Sequence, residues 1–328
     1  MNTSCQILSF GAFTPEKRVS NNDLARLVDT SDSWIVERTG IRERRQIDGA
    51  DDTSDLALRA AWLALDQINM QPGDLTHVIA ATCTPDYLSP SVACIVAGAL
   101  GAGAVMAFDI GAACAGFIYG LSICRSVLAG DPKAQILFIC AEAMTRRVNW
   151  QDRSTCVLFG DGAVACVLAG QKRESICSLE DVISKSDGSH HKLIIVGGGT
   201  ACHYGAGRAV SDDFFIAMQG RDTYKFAVRH MVDVCRELLD RNRLSMEDID
   251  LFVPHQANMR IIEAVGSRLG IAEERVFTNV ENYGNTSAAS IPLALAEARA
   301  QGRIRPGSHV LVTAFGAGLT WGAALLRF

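Results

Sequence analysis

A cysteine, a histidine and an asparagine each stand where an apolar run gives way to small or polar residues. Cys114 lies in FDIGAACAGFIYG: the run from Val105 to Ile110 ends, and residues of helical period begin just past the sulfur. A thiol at a helix start meets unpaired N–H groups and the positive end of the helix dipole, which favours the thiolate and prepares a nucleophile. Gly111, Ala112, Ala113, Ala115 and Gly116 leave room for a substrate beside it. His255 stands in LFVPHQANMRI, at the end of one apolar run and the start of an amphipathic one, and Asn285 follows Gly284 in ENYGNTSAAS. A further turn, FGAGLTWGAALL (315–326), follows HVLVTA and offers backbone N–H groups to a developing oxyanion. A tight strand-to-strand turn is the plainer reading of that string.

Cys, His and Asn can perform two jobs. In a papain-like hydrolase they form an ion pair oriented by an amide, and the separation of Cys114 from His255 suits that arrangement. The C-G-[SA]-C-[WY] signature is missing, however, and Cys114 lies far from the N-terminus. In the other job His and Asn donate hydrogen bonds to a thioester oxygen that becomes an enolate.

The elements that must position these residues are readable from periodicity. Apolar runs of strand length, HVIAATC (77–83) and QILFICA (135–141), alternate with helical segments, Asp55 to Ile68 and Ala115 to Ala129, which predicts sheets covered by helices. Phe117, Ile118, Leu121, Cys124 and Leu128 form one stripe, stopped by Gly130-Asp131-Pro132. KAQILFICAEAM (133–144) resembles GSHVLVTAFGAG (307–318), and THVIAATCTPD (76–86) resembles IDLFVPHQANM (249–259). These pairs predict a duplicated α/β fold, with a half of residues 1–175 holding the cysteine and a half of 176–328 holding His255 and Asn285. The join is expected in the polar stretch from Gly170 to Ser189, and His255 is expected opposite Cys114 across the two halves.

Composition narrows the function classes. A chain of 328 residues with 48% hydrophobic and 20% charged residues has ample material for a large core. A net charge of −5 argues against a general nucleic-acid binder. The stretch Cys94 to Phe108, interrupted by Gly98, Gly101 and Gly103, is too short to span a bilayer. MNTSCQILSFGAF has neither the basic start nor the apolar core of an export signal, so the expected location is the cytoplasm. None of the eleven cysteines forms a C-x-x-C pair, which points to reduced, buried thiols and to no metal site.

ACAGF, HQAN, YGNTSAAS and FGAGLTWGAALLRF, in this order, together resemble the 3-oxoacyl-[acyl-carrier-protein] synthase III family, and SDSWIVERTGIRERR (31–45) and DRSTCVLFGDGA (152–163) extend the likeness over nearly the whole chain. The resemblance implies a thiolase-like fold in α-β-α-β-α layers and a decarboxylative condensation of an acyl-coenzyme A with malonyl-acyl carrier protein. Cys114 would carry the acyl group, His255 and Asn285 would stabilise the enolate, Ala317 and Cys114 would supply oxyanion N–H groups, and Phe315 would exclude water. Trp34 and Arg153 would sandwich the adenine, Arg38 and Asn258 would touch coenzyme A, and Arg260 and Lys225 would meet the carrier protein. No cofactor beyond these substrates is implied. A homodimer is, with the partner loop around Tyr87 to Ser91 closing the acyl pocket. Two departures concern the primer: Ser89 precedes the pocket proline, and Arg147 stands where a small residue is usual. An arginine there could pair with the carboxylate of a dicarboxylyl primer such as glutaryl-coenzyme A, as in biotin precursor synthesis. A short-chain primer such as acetyl-coenzyme A is the alternative. Ala317, where glycine is frequent, and Arg221, where asparagine is frequent, also bear on pocket shape.

Overall fold

A computed structural model describes residues 5–170, 174–198 and 214–328. Nine strands form its main sheet: β1 (Gln6–Phe13), β2 (His77–Ala81), β3 (Met106–Ile110), β4 (Gln135–Ala143), β5 (Asp161–Ala169), β6 (Cys177–Ser186), β7 (Leu251–Pro254), β8 (His309–Gly316) and β9 (Thr320–Arg327). They lie side by side in the order β7-β8-β9-β6-β1-β5-β4-β2-β3. The helices that matter for the site are α1 (Asp32–Thr39), α2 (Thr53–Asp66), α3 (Val92–Leu100), α4 (Gly116–Gly130), α5 (Gly220–Asn242), α6 (Met259–Leu269) and α7 (Ser290–Ala300).

The matched strings take matched places. β2 runs parallel to β4, which runs antiparallel to β5; β7 runs parallel to β8, which runs antiparallel to β9. The two sets meet at β1 and β6, which pair at Gln6↔Ser178 and Ile7↔Cys177. α4 and α7 lie between them, with Phe117, Leu121, Ile291 and Leu295 in one core shared by both sets. α2 and α3 cover the outer face of the first set, and α5 and α6 that of the second. The result is the α-β-α-β-α layering.

Local sequence explains the elements. α2 begins at a reciprocal Asp52–Asp55 cap, and α4 buries the predicted Phe117, Ile118, Leu121, Cys124 and Leu128. Among the described residues, the stretch long and apolar enough to cross a bilayer is Ala113 to Gly130 rather than 94–108, but it forms the cysteine turn and this central core helix. Within the stretch expected to hold the join, residues 177–186 form strand β6, paired along β9, because Cys177, Leu179 and Ile183 turn inward while Glu180 faces water. Ten cysteines are described, all unpaired, and seven of them are buried.

Candidate active site

Cys114 sits in a 3-10 turn, Ala113–Ala115, that leads into α4. A second such turn, Ser287–Ala289, leads into α7. Ala113 and Ser287, the first residues of each, both take a left-handed conformation, with φ of 44° and 50°. The counterpart of Cys114 in the duplication is therefore Ala288. His255 follows β7, and in the other half that place belongs to the end of β2, because β7 and β2 hold equivalent positions beside β8 and β4.

One narrow cavity still gathers the predicted chemistry. Cys114, His255, Asn285, Asn258, Phe315, Gly316 and Ala317 all line it. Gly316 permits the approach of β8 to the nucleophile's turn: a Cβ there would lie 2.7 Å from the Cys114 nitrogen. The Thr320 hydroxyl lies 2.9 Å from the Ala317 carbonyl oxygen and 3.0 Å from that of Ala112, tying the C-terminal turn to the cysteine turn. Phe315 is backed by His230, whose ring stacks on it at 6.2 Å and on Trp321 at 4.2 Å.

The protonation states differ from the helix-start expectation for Cys114. Burial pushes its thiol up to about 12 and outweighs the lowering by hydrogen bonds to Ser287 and Asn285. Burial pushes His255 down to about 3, so its imidazole is neutral at physiological pH. Its backbone N–H donates to the Thr313 carbonyl at 2.8 Å, and its Nδ1 lies 2.6 Å from Ser290 Oγ. That hydroxyl oxygen also accepts the Gln256 N–H at 3.3 Å, and because Nδ1 is the one acceptor for its proton among the described residues, we assign that proton to Nδ1 and the imidazole proton to Nε2.

Asn285 is fixed from both sides. Its N–H donates to the Leu158 carbonyl at 2.8 Å, its carbonyl accepts from Gly160 at 3.1 Å, and its Oδ1 accepts the Ser287 N–H at 2.8 Å. With Oδ1 committed, the amide NH2 is what Asn285 presents. Beneath this junction lies Arg44, fully buried, donating to the carbonyls of Val19 and Val157 and to Asn21 Oδ1. Sequence reading missed Arg44, Ser287 and Ser290. It also missed Glu142, the one charged side chain of the fully buried strand β4, although a lone carboxylate in QILFICAEA was a visible signal.

The remaining predicted residues surround the cavity. Asn258 caps α6 by accepting the Ile261 N–H at 3.1 Å. Trp34, on α1, carries the Arg38 guanidinium 4.5 Å and the Arg153 guanidinium 4.8 Å from its ring centre. Arg153 also donates to the Asp29 carbonyl at 2.8 Å. Arg260 and Lys225 are exposed, each two residues from the cavity-lining Asn258 and Thr223, and Lys225 pairs with Asp222 at 3.0 Å. Arg221 is likewise exposed at the start of α5. Arg147 is absent from the residues lining the cavity. Its guanidinium lies over Phe214 at 4.2 Å, close to Gly198.

Comparison with known proteins gives one consistent result. Residues 108–188 match the family described as 3-oxoacyl-[acyl-carrier-protein (ACP)] synthase III, and residues 239–328 match its C-terminal part. A beta-ketoacyl-[acyl-carrier-protein] synthase III of Nitratidesulfovibrio vulgaris (strain DP4) is 54% identical over the full length of both chains. Its namesake in Campylobacter fetus is 46% identical over 98% of each. Among solved structures, 3-oxoacyl-[acyl-carrier-protein] synthase III from Aquifex aeolicus superposes with a TM-score of 0.90 at 43% identity, covering 99% of this chain and 100% of the other. The priming β-ketosynthase of the R1128 polyketide pathway superposes with a TM-score of 0.90 at 31% identity, covering 99% and 96%.

Proposed function

The chain belongs to the 3-oxoacyl-[acyl-carrier-protein] synthase III family of condensing acyltransferases, and we propose on that premise that it joins an acyl-coenzyme A primer to malonyl-acyl carrier protein. In this reaction Cys114 takes the acyl group and coenzyme A leaves. Malonyl thioester then loses carbon dioxide, its enolate attacks the acyl-cysteine, and a 3-oxoacyl thioester results.

The observation that carries this reading is the orientation of the two polar groups beside Cys114. Ser290 holds His255 Nδ1 and Ser287 holds Asn285 Oδ1, so both residues turn N–H donors toward the cavity, as enolate stabilisation needs. A hydrolase pair needs a protonated imidazole oriented by an amide oxygen. Here the imidazole is neutral and that oxygen is occupied. Phe315, packed at the cavity wall, suits the exclusion of water during decarboxylation.

The cavity wall favours an uncharged primer. Met144, Phe159, Ile194, Val196 and Ile216 line it, while the cation that would meet a primer carboxylate, Arg147, lies over Phe214 instead. Coenzyme A would thread past Asn258 to Trp34 and Arg38, and an adenine between Trp34 and Arg153 has to part those two. The exposed Arg260 and Lys225 suit an acidic carrier protein. Tyr87, 59% exposed, Leu88, 83% exposed, and Met106 on the edge strand β3 suit burial by a second copy of the chain. Ten unpaired thiols suit a reducing cytoplasm.

Acetyl-, isobutyryl-, octanoyl- and glutaryl-coenzyme A, each supplied with malonyl-acyl carrier protein, test the reading by product mass. The expected products are 3-oxoacyl thioesters from one or more uncharged primers. Exclusive use of glutaryl-coenzyme A would instead support the dicarboxylyl primer, and no condensation with any primer would overturn the proposed reaction.

A further inference from the structure

Resting on the proposed acyl-cysteine reaction, we propose that Ser287 and Glu142 relay the proton of Cys114 away during acylation and return it at condensation. The need for such a relay follows from the site. The half-buried Cys114 keeps its proton, and with the tautomer assigned above the imidazole has Nδ1 engaged by Ser290 and its proton on Nε2, so it offers no free lone pair.

A different path leads out of the thiol. Ser287 lines the cavity beside Cys114, where it acts to lower the thiol's titration, and its Oγ donates to Glu142 Oε1 at 2.9 Å. Glu142 is fully buried. Its carboxylate also accepts from Thr84 Oγ1 at 2.7 Å, from the Cys83 N–H at 3.1 Å, from Cys83 Sγ at 3.3 Å and from Thr82 Oγ1 at 3.3 Å. The titratable groups that face it are the thiols of Cys83, Cys114 and Cys140, and no cation appears among its hydrogen-bond partners in the described residues. A buried carboxylate without a counter-ion is costly to keep ionised, which makes it a ready proton acceptor. Glu142 is the one charged side chain of the fully buried strand β4.

The step balances. As Cys114 Sγ bonds to the acyl carbon, its proton passes to Ser287 Oγ and the Ser287 proton passes to Glu142. The bond from the acyl carbon to the coenzyme sulfur breaks, and that thiolate is protonated by solvent at the cavity mouth. Neutral Glu142 then persists through the life of the acyl-enzyme and adds no negative charge beside the entering malonyl carboxylate. When the new carbon–carbon bond forms and Cys114 departs as thiolate, Glu142 returns the proton through Ser287.

The test follows Cys114 acylation by acetyl-coenzyme A in quenched intact-mass measurements between pH 5.5 and 9, alongside decarboxylation of malonyl-acyl carrier protein. Wild type should gain rate as pH rises through the elevated Glu142 titration, whose shift comes from burial. Glu142→Gln and Ser287→Ala should each slow acylation about 100-fold and erase that acid limb, with Glu142→Asp restoring part of it. Decarboxylation should fall far less. Wild-type rates and profile in either variant, or equal losses in both half-reactions with lowered thermal midpoints, would overturn the relay. Absence of acylation in wild type by acetyl-, isobutyryl- and octanoyl-coenzyme A alike would instead sink the acyl-cysteine reaction itself.

Discussion

The turns Ala113–Ala115 and Ser287–Ala289 share a backbone but divide the chemistry. Each opens with a left-handed residue and feeds a central helix. The first carries the nucleophile at its second position. The second has Ala288 there, packed against Gly116, and carries supporting groups on either side: Asn285 before it, Ser287 within it and Ser290 at the helix start. A duplicated scaffold thus supplies two openings into one cavity. Which of them reacts is set by single side chains, and the other is free to orient.

The largest effect is expected from moving the nucleophile between the turns. Cys114→Ala should abolish acyl transfer, and Cys114→Ala combined with Ala288→Cys should leave it abolished, because position 288 faces α4 and the core. Recovery of an acylated species in the double variant would show the turns to be interchangeable. Gly316→Ala comes next. Its Cβ would press on the Cys114 nitrogen, so acylation should fall about 100-fold through misplacement of the sulfur, with a lowered thermal midpoint. An unchanged rate would mean that β8 does not set the nucleophile's position.

Ser290→Ala should act more mildly and on the other turn. Without the hydroxyl, the His255 tautomer is no longer held, and malonyl thioester decarboxylation should drop about tenfold while Cys114 acylation holds. Equal losses in both half-reactions would contradict that division. The smallest effect concerns acid stability. His255 titrates lower in the folded chain, about 3, than its ordinary 6.5, so the unfolded chain binds its proton first. The stability this contributes is present above pH 6.5 and is lost as pH falls toward 3. His255→Asn should flatten the slope of unfolding free energy against pH in that window, and an unchanged slope would place the acid sensitivity elsewhere.

What could be read from the sequence was local. The stripe of α4, the strands of the two string pairs and the placement of Cys114 before a helix depend on neighbours in the chain, and the structure reproduces each. The supporting groups were not legible because they act across the chain. Ser290 meets a histidine 35 residues away, and Ser287 meets a carboxylate 145 residues away. Arg44 reaches Val157 across 113 residues. Protonation misled for a related reason: a helix start is visible in sequence, whereas the burial that holds the Cys114 thiol up depends on packing from both halves. The surroundings of Arg147 were likewise not legible: its residue type suggests a carboxylate partner, and only the structure shows its guanidinium over Phe214.

The most direct measurement loads wild-type protein with acetyl-coenzyme A, removes excess substrate, and follows intact mass after buffer alone or malonyl-acyl carrier protein is added. The account predicts an acetyl gain in wild type that Cys114→Ser lacks, slow loss in buffer, and rapid discharge into a 3-oxobutyryl thioester with the carrier protein. Discharge to free acetate at the same rate in both arms would contradict it and mark the site as a hydrolase.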